Sequence, residues 1–589
     1  MRRVRPMIAL AAVAFAIGAI LGAGHGSSPA VGLAGRFVSA WARGDYATMY
    51  EEIDSSSQRA LSVDDFASAY RTAATTATAT GMALAGSPRQ ESDGSVVVPV
   101  RVSTRLFGTL RSSFTVRISS DAQGPSVAWS RALLFPGLRP GEALTRHVTL
   151  PPRASLLAGD GSVLAAGPAV SAGTRQSPLG AAADAVVGQI GPIPSSRLSE
   201  LEAEGVPPDA IVGVSGLERA LDDRLRGTPG GELLAGQRVL ASAPRRPAPP
   251  VRTTISPAVQ RAAAEALGAH LGGVVALDPS TGAILAVVGL GIDDLQPPGS
   301  TFKMVTLSAV LEAKAASPTT VFGYATSTTL DGVKLENANG ESCGGSLALA
   351  FAVSCNSVFA PLGVKLGASS LVSMAERFGF NHDPGVPGAV ESTIPAAPDI
   401  QGELALGSTA IGQGRVQASA LQMAAIAATI GNGGRRPAPT FEARRTPMPG
   451  QRAISAATAS TVRRLMIGVV REGTGTSAAI GGVVVAGKTG TAELGLPSCQ
   501  SKGEHSAKSE PGSIEANGAQ AGSEEAKSKP ESENCSTGSN DPQNTDAWFA
   551  AFAPALAPKI AVGVMLVKDG AGGEAAAPVA RQVLEAGLR

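Results

Sequence analysis

The spacing of apolar residues changes several times along this chain, and each change marks an element. Residues 7–23 are apolar and uncharged, and Arg2, Arg3 and Arg5 precede them. That length falls between a short spanning helix and a long signal-peptide core, and the arginines would hold its start on the cytoplasmic side. Phe37, Val38, Trp41, Tyr46, Met49 and Tyr50 recur at helical spacing, with Gly44-Asp45 breaking the run into two short helices. Residues 95–102 and 110–118 predict antiparallel strands and 127–135 a further one, with Trp41 and Trp129 as core packing. Residues 153–165 read as two short strands around an Asp160-Gly161 turn. Residues 213–227 predict an amphipathic helix closed by glycine. Its Glu218, Asp222 and Asp223 admit a metal reading, but a solvated helix face is the expectation. After the proline-rich linker 243–250 come a helix through Leu267, a β-hairpin over 273–288 and a helix with an apolar face over 304–311. Val483-Val484-Val485 and the residues from Asp546 read as strands.

At 589 residues the chain exceeds one ordinary core, and about three domains are expected. Hydrophobic residues at 44% and charged ones at 16% describe a folded protein. A net charge of +1 with 4% aromatics argues against a nucleic-acid partner. The four cysteines of an exported chain favour disulfides over metal ligands, Cys343 with Cys355 and Cys499 with Cys535 being the simplest pairing. The alternative is that Cys355 is a free buried thiol. The first cysteine is Cys343, which excludes an N-terminal lipobox. Between Glu493 and Asp546 the chain is rich in Ser, Gly, Glu, Lys and Asn, a composition that cannot bury enough surface to order itself. It reads as a disordered insertion at about 495–544, its base tied by Cys499–Cys535, and as tolerated length rather than a gate over the cleft.

The chemistry concentrates at Pro297-Pro298-Gly299-Ser300-Thr301-Phe302-Lys303. The prolines and Gly299 mark the turn that opens a helix, which sets Ser300 in its first turn and Lys303 on the same face. A serine hydroxyl is a poor nucleophile until a base takes its proton, and a desolvated lysine is such a base. One Ser-x-x-Lys alone is weak evidence. Two further motifs follow in order: Ser354-Cys355-Asn356 on an apolar helix, and Lys488-Thr489-Gly490-Thr491 after the Val483 strand. Ser-x-x-Lys, Ser-x-Asn and Lys-Thr-Gly form the set found in penicillin-binding proteins and serine β-lactamases.

On these three motifs the chain resembles the class B penicillin-binding proteins, monofunctional D,D-transpeptidases. The likeness runs from about residue 30 to the end, including Ile411-Gly412-Gln413-Gly414, although Ser419-Ala420 stands where the family usually has Thr-Pro. It implies an α/β multidomain fold: an anchor or signal peptide over 1–27, an α+β NTF2-like domain over 28–148 and a β-rich pedestal (dimerisation) domain over 149–252. A transpeptidase domain over 253–589 would place an antiparallel sheet between helices. It implies peptidoglycan cross-linking through a serine acyl-enzyme, with inhibition by penicillin and other β-lactams. Ser300, Lys303, Ser354, Asn356 and Lys488 would be catalytic and Thr489, Gly490 and Thr491 substrate-binding, with neither metal nor organic cofactor. Expected partners are D-Ala–D-Ala stem peptides, β-lactams, the cytoplasmic membrane through a single N-terminal helix, and a glycosyltransferase or other wall-synthesis protein, with the catalytic domain outside. The rival readings are a D,D-carboxypeptidase or β-lactamase-type hydrolase passing the acyl group to water, a β-lactam sensor, and a silent scaffold. Against hydrolysis stand two large N-terminal domains and the lack of an obvious Glu-x-x-x-Asn motif. A sensor would carry several membrane helices, and a scaffold does not need three intact motifs.

Overall fold

The computed structural model describes residues 28–121, 124–168, 171–443, 450–493 and 544–589. The apolar run at 7–23, the insertion and the Cys499–Cys535 pairing lie outside the described residues. The chain divides into two compact units, one of Met1–Pro151, Ser195–Pro208 and Thr228–Arg246, the other of Pro152–Pro194, Asp209–Gly227 and Pro247–Arg589. Residues 149–252 are thus shared between them.

In the first unit, helix Pro29–Arg43 ends where Gly44 adopts the left-handed conformation, and Asp45 caps the next helix, Tyr46–Glu51. Strand Val96–Thr104 pairs antiparallel with Ala79–Leu84, Arg89–Gln90 and Gly108–Val116. Its valines at 96, 98, 100 and 102 alternate onto one buried face, beneath Phe37, Trp41, Phe66 and Tyr70. Trp41 packs edge-on against Phe114 at 4.8 Å, and Trp129 donates its indole N–H to the Tyr70 hydroxyl. The strand expected over 127–135 ends at Val127. Asp54 captures the Trp129 N–H, and a 3₁₀ turn at Arg131–Leu133 follows.

The second unit is built on five antiparallel strands in the order Ile284–Gly289, Gly272–Leu277, Ile560–Leu566, Thr545–Ala553, Ala486–Glu493. These strands are apolar on both faces because both are covered. Val274, Ala276, Phe549 and Val562 join one core cluster with residues of helices Pro257–Leu267 and Ala576–Leu588. Val275, Leu277, Trp548 and Met565 join the other, with helix Ala420–Gly431, whose every residue is buried. Glu493 pairs with Thr545 across the two ends of the insertion, which lays Ala547–Ala550 beside Lys488–Thr491. Among the described residues no single helix is long and apolar enough to cross a membrane.

The hairpin around Asp160-Gly161 is present as Leu156–Leu157 and Val163–Ala165. The helix expected over 213–227 is instead two short ones, Gly216–Ala220 and Asp222–Leu225. Its solvated face is not solvated either. Glu218 and Asp222 are fully buried, and only Asp223 faces water. Arg153 bonds Glu218 at 2.6 Å and Asp222 at 2.8 Å, Arg175 bonds Glu218 at 2.7 Å, and Arg226 bonds Asp222 at 2.8 Å. Arg153 and Arg175, distant in sequence, and Arg226, one turn on, satisfy these carboxylates in place of water, so helical periodicity misread them. Among the described residues no group of three or more side chains is arranged to hold a metal ion.

Candidate active site

Ser300 lies in a 3₁₀ turn, Gly299–Phe302, that runs into helix Lys303–Glu312. The turn is braced from two sides by glycines. Gly299 has φ +51°, and a Cβ there would meet the Thr491 carbonyl oxygen at 2.7 Å. Gly412 accepts the Gly299 N–H at 2.9 Å, and a Cβ on Gly412 would fall 2.1 Å from the Gly299 oxygen. The Ile411–Gly414 segment thus holds the serine turn against the Lys488 strand. Spacing within the chain gave no sign of that role.

Lys303 is fully buried. Its Nζ lies 3.0 Å from Ser300 Oγ, 2.7 Å from the Ser354 carbonyl oxygen, 3.3 Å from Ser354 Oγ and 2.6 Å from Asn356 Oδ1. The Lys488 Nζ, also buried, lies 2.9 Å from Ser354 Oγ and 3.1 Å from the Thr489 oxygen. Neither lysine has a carboxylate within ion-pair distance among the described residues; their nearest relief is the Phe359 and Phe351 rings at 5.7 and 5.5 Å. Burial, then the charge of Lys488, holds the Lys303 amine well below its ordinary 10.5. Burial lowers Lys488 to about 7.

The contacts of Lys303 suit the neutral amine. The Ser354 carbonyl and Asn356 Oδ1 only accept, so the two N–H bonds of an uncharged amine are satisfied at the two shortest contacts. The remaining lone pair is then available to the Ser300 hydroxyl. Ser354 stands between both lysines with φ +61°, uncommon for serine. It was expected on a helix. The structure puts it in the break between Leu347–Ala352 and Asn356–Leu366, where Cys355 turns the chain.

Cys355 is bonded to Cys343, with Cα atoms 5.8 Å apart, so the free-thiol alternative does not hold. Asn337 supports the same turn: its Oδ1 accepts the Ser357 N–H at 2.8 Å, and its Nδ2 donates to Ala325 and Glu341 oxygens. Thr489 Oγ1 meets Thr474 Oγ1 at 2.5 Å, and Thr491 Oγ1 accepts the Gly572 N–H at 3.3 Å. Gly490 lies against Pro298, where a Cβ would meet the carbonyl oxygen at 2.7 Å. The structure therefore gathers Ser300, Lys303, Ser354, Asn356 and Lys488 into one hydrogen-bonded chain, with Thr489–Thr491 along the adjoining strand. Sequence reasoning missed Asn337; Gly412 and Thr474 stand in segments that resemble the family's, but their roles come through contacts distant in sequence and were not foreseen.

Three families match the chain: the penicillin binding protein transpeptidase domain over 272–520, the NTF2-like N-terminal transpeptidase domain over 30–142, and the penicillin-binding protein dimerisation domain over 169–238. The peptidoglycan D,D-transpeptidase PbpA of Mycolicibacterium smegmatis is 35% identical over 445 residues, covering 64% of this chain and 80% of that protein. PbpA of Mycobacterium tuberculosis is 36% identical over 405 residues, 58% and 72% of the respective chains. Among solved structures, penicillin-binding protein A of M. tuberculosis as a ceftriaxone acyl-enzyme complex superposes with a TM-score of 0.54 at 30% identity, covering 74% of this chain and 98% of that one. The D,D-transpeptidase domain of an Eggerthella lenta peptidoglycan glycosyltransferase gives 0.54 at 29%, with 74% and 98% covered. The chain belongs to the class B penicillin-binding proteins and is a serine-type peptidoglycan D,D-transpeptidase.

Proposed function

We propose that Ser300 carries the acyl group and that neutral Lys303 is the base that activates it. The carrying observation is the 3.0 Å approach of a fully buried, carboxylate-free Lys303 amine to Ser300 Oγ. Lys303 takes the hydroxyl proton as Oγ attacks the carbonyl between the two D-alanines of a stem peptide. The backbone N–H groups of Ser300 and Thr491 receive the oxyanion, each worth about 3 kcal/mol by analogy with other acyl transferases. Ser354 delivers a proton to the departing D-alanine nitrogen and recovers one from Lys488, 2.9 Å away. Asn356 fixes Lys303 and the substrate amide. Lys488, Thr489 and Thr491 pair with the substrate carboxylate, and Gly490 lets the strand lie close. An amine of a second stem then resolves the ester and completes the cross-link.

In this reading residues 1–27 anchor the chain in the cytoplasmic membrane, supported by the arginines ahead of the apolar run, and the rest lies outside. Residues 28–148, 149–252 and 253–589 serve as NTF2-like, pedestal and catalytic domains, with another wall-synthesis enzyme such as a glycosyltransferase as partner. The test is incubation with penicillin, intact-mass measurement and peptide mapping. One adduct per chain on Ser300, lost in Ser300→Ala without a large change in melting temperature, is expected. A label on another residue, or an unlabelled wild type, overturns the assignment.

A further inference from the structure

An acyl-enzyme formed by expelling one amine is resolved by another that stands in the same place, because the second step retraces the first. The incoming nitrogen must therefore reach Ser354 Oγ, while the side chain that bears it needs room of its own. The Lys488–Thr491 strand, with its buried cation, suits the carboxylate of the departing D-alanine. It does not suit an ammonium group.

A cavity of about 140 Å³ adjoins Ser354 on other walls. It is smaller than the roughly 300–1,000 Å³ of a drug-sized site, and its scale is that of one side chain. Tyr324, Leu349 and Val353 line it, and they remain 66%, 41% and 37% exposed. Large apolar side chains left open together beside a reactive group mark a contact surface. Glu341 is the one acidic residue lining the cavity, and no lysine or arginine lines it. The backbone of this wall is held in advance: Asn337 Nδ2 donates to the Glu341 oxygen at 2.9 Å, and Cys343, also lining, is bonded to Cys355.

We infer that this cavity receives the amine-bearing side chain of the acceptor stem peptide, an unbranched methylene chain ending in ammonium. The inference rests on the proton-relay role of Ser354 proposed above. Methylenes lie along Tyr324, Leu349 and Val353, and Glu341 draws the cation in. The ammonium loses one proton to solvent, and its nitrogen then bonds to the acyl carbon as the ester bond to Ser300 Oγ breaks. The nitrogen's second proton passes through Ser354 to Lys488, and Lys303, protonated since acylation, returns its proton to Ser300 Oγ, which restores the hydroxyl and both lysines.

The test measures how the acyl-enzyme partitions between water and an amine. Purified enzyme is given a thioester donor with either Nα-acetyl-lysine methylamide, a free amine on four methylenes, or D-alanine, which re-enters along the Lys488 strand. Glu341→Lys places a cation against the ammonium, and Val353→Trp fills the cavity. Each is expected to raise the half-saturating concentration of the lysine acceptor about tenfold, with less than about a twofold change for D-alanine. Wild-type partitioning in both variants overturns the inference, as does an equal loss of both acceptors or a wild type that never uses the lysine amine. Loss of penicillin acylation in the folded variants would put the cavity on the donor side and also overturn it. A wild type unlabelled at Ser300 in the absence of acceptor is a different result, one that removes the catalytic assignment itself.

Discussion

Two clusters of buried cations occur in the second unit, and they are built on opposite terms. Around Glu218 and Asp222 three arginines are matched by two fully buried carboxylates, at 2.6 to 2.8 Å. Burial pushes the Asp222 carboxyl up, but the Gly213 N–H and the Arg153 charge outweigh it and hold the carboxyl below its usual value. Around Ser300 two lysines are buried with hydroxyls, carbonyls and aromatic rings only. A guanidinium scarcely deprotonates, so a buried arginine must be paired, whereas an ammonium left unpaired sheds its proton. One cluster stays charged and ties distant segments together. The other is pushed toward neutrality, and a neutral lysine beside a serine is a base.

The sharpest way to break this contrast is to give the lysine site an arginine. Lys303→Arg keeps the charge but cannot return a proton at neutral pH. Penicillin acylation is expected to fall about 10⁴-fold, or ~5 kcal/mol in barrier, measured by stopped flow. Near-normal acylation would show that another group activates Ser300. The reverse manipulation removes a carboxylate from the paired cluster. Glu218→Ala leaves Arg153 and Arg175 buried without that partner and is expected to cost about 3–4 kcal/mol in denaturant unfolding, while the folded fraction still acylates. A smaller effect of opposite sign comes from Lys488→Met. The folded-state value of Lys488 is about 7 against an ordinary 10.5, so its charged form opposes folding. Its contribution is complete above 10.5 and is lost as pH falls toward 7. The shift implies roughly 4 kcal/mol near pH 7. Methionine forgoes the hydrogen bonds to Ser354 and Thr489, so the variant should gain about 2 kcal/mol there, an advantage that shrinks toward pH 10, although it has lost catalysis. A lower melting temperature at pH 7 would mean that Lys488 is paired after all.

The two clusters also differ in how far the sequence disclosed them. Ser300 and Lys303 are three residues apart on one helical face, and Ser354 and Asn356 flank one cysteine, so local geometry made most of the site legible. Glu218 meets Arg153 across 65 residues and Arg175 across 43. No local period carries that information, and acidic residues at helical spacing look like a solvated face. The same distance hid the contacts of Gly412 and Thr474, which meet the site only after the sheet and its helices pack. Strand alternation was legible at Val96–Val102, because burial of one face imposes a period of two. At Trp129 it misled, because a single side-chain bond from Asp54 ended the strand.

The central claim is that Lys303 is neutral while it works, and the most direct measurement is the single-turnover rate of penicillin acylation against pH. The account predicts a rate that rises with pH through a midpoint well below the ordinary lysine value of 10.5, absent from residual activity in Lys303→Arg, and that turns down where Lys488, the proton source for Ser354, loses its own proton. A rate still climbing through pH 10, or one whose acid limb survives in the arginine variant, would contradict it.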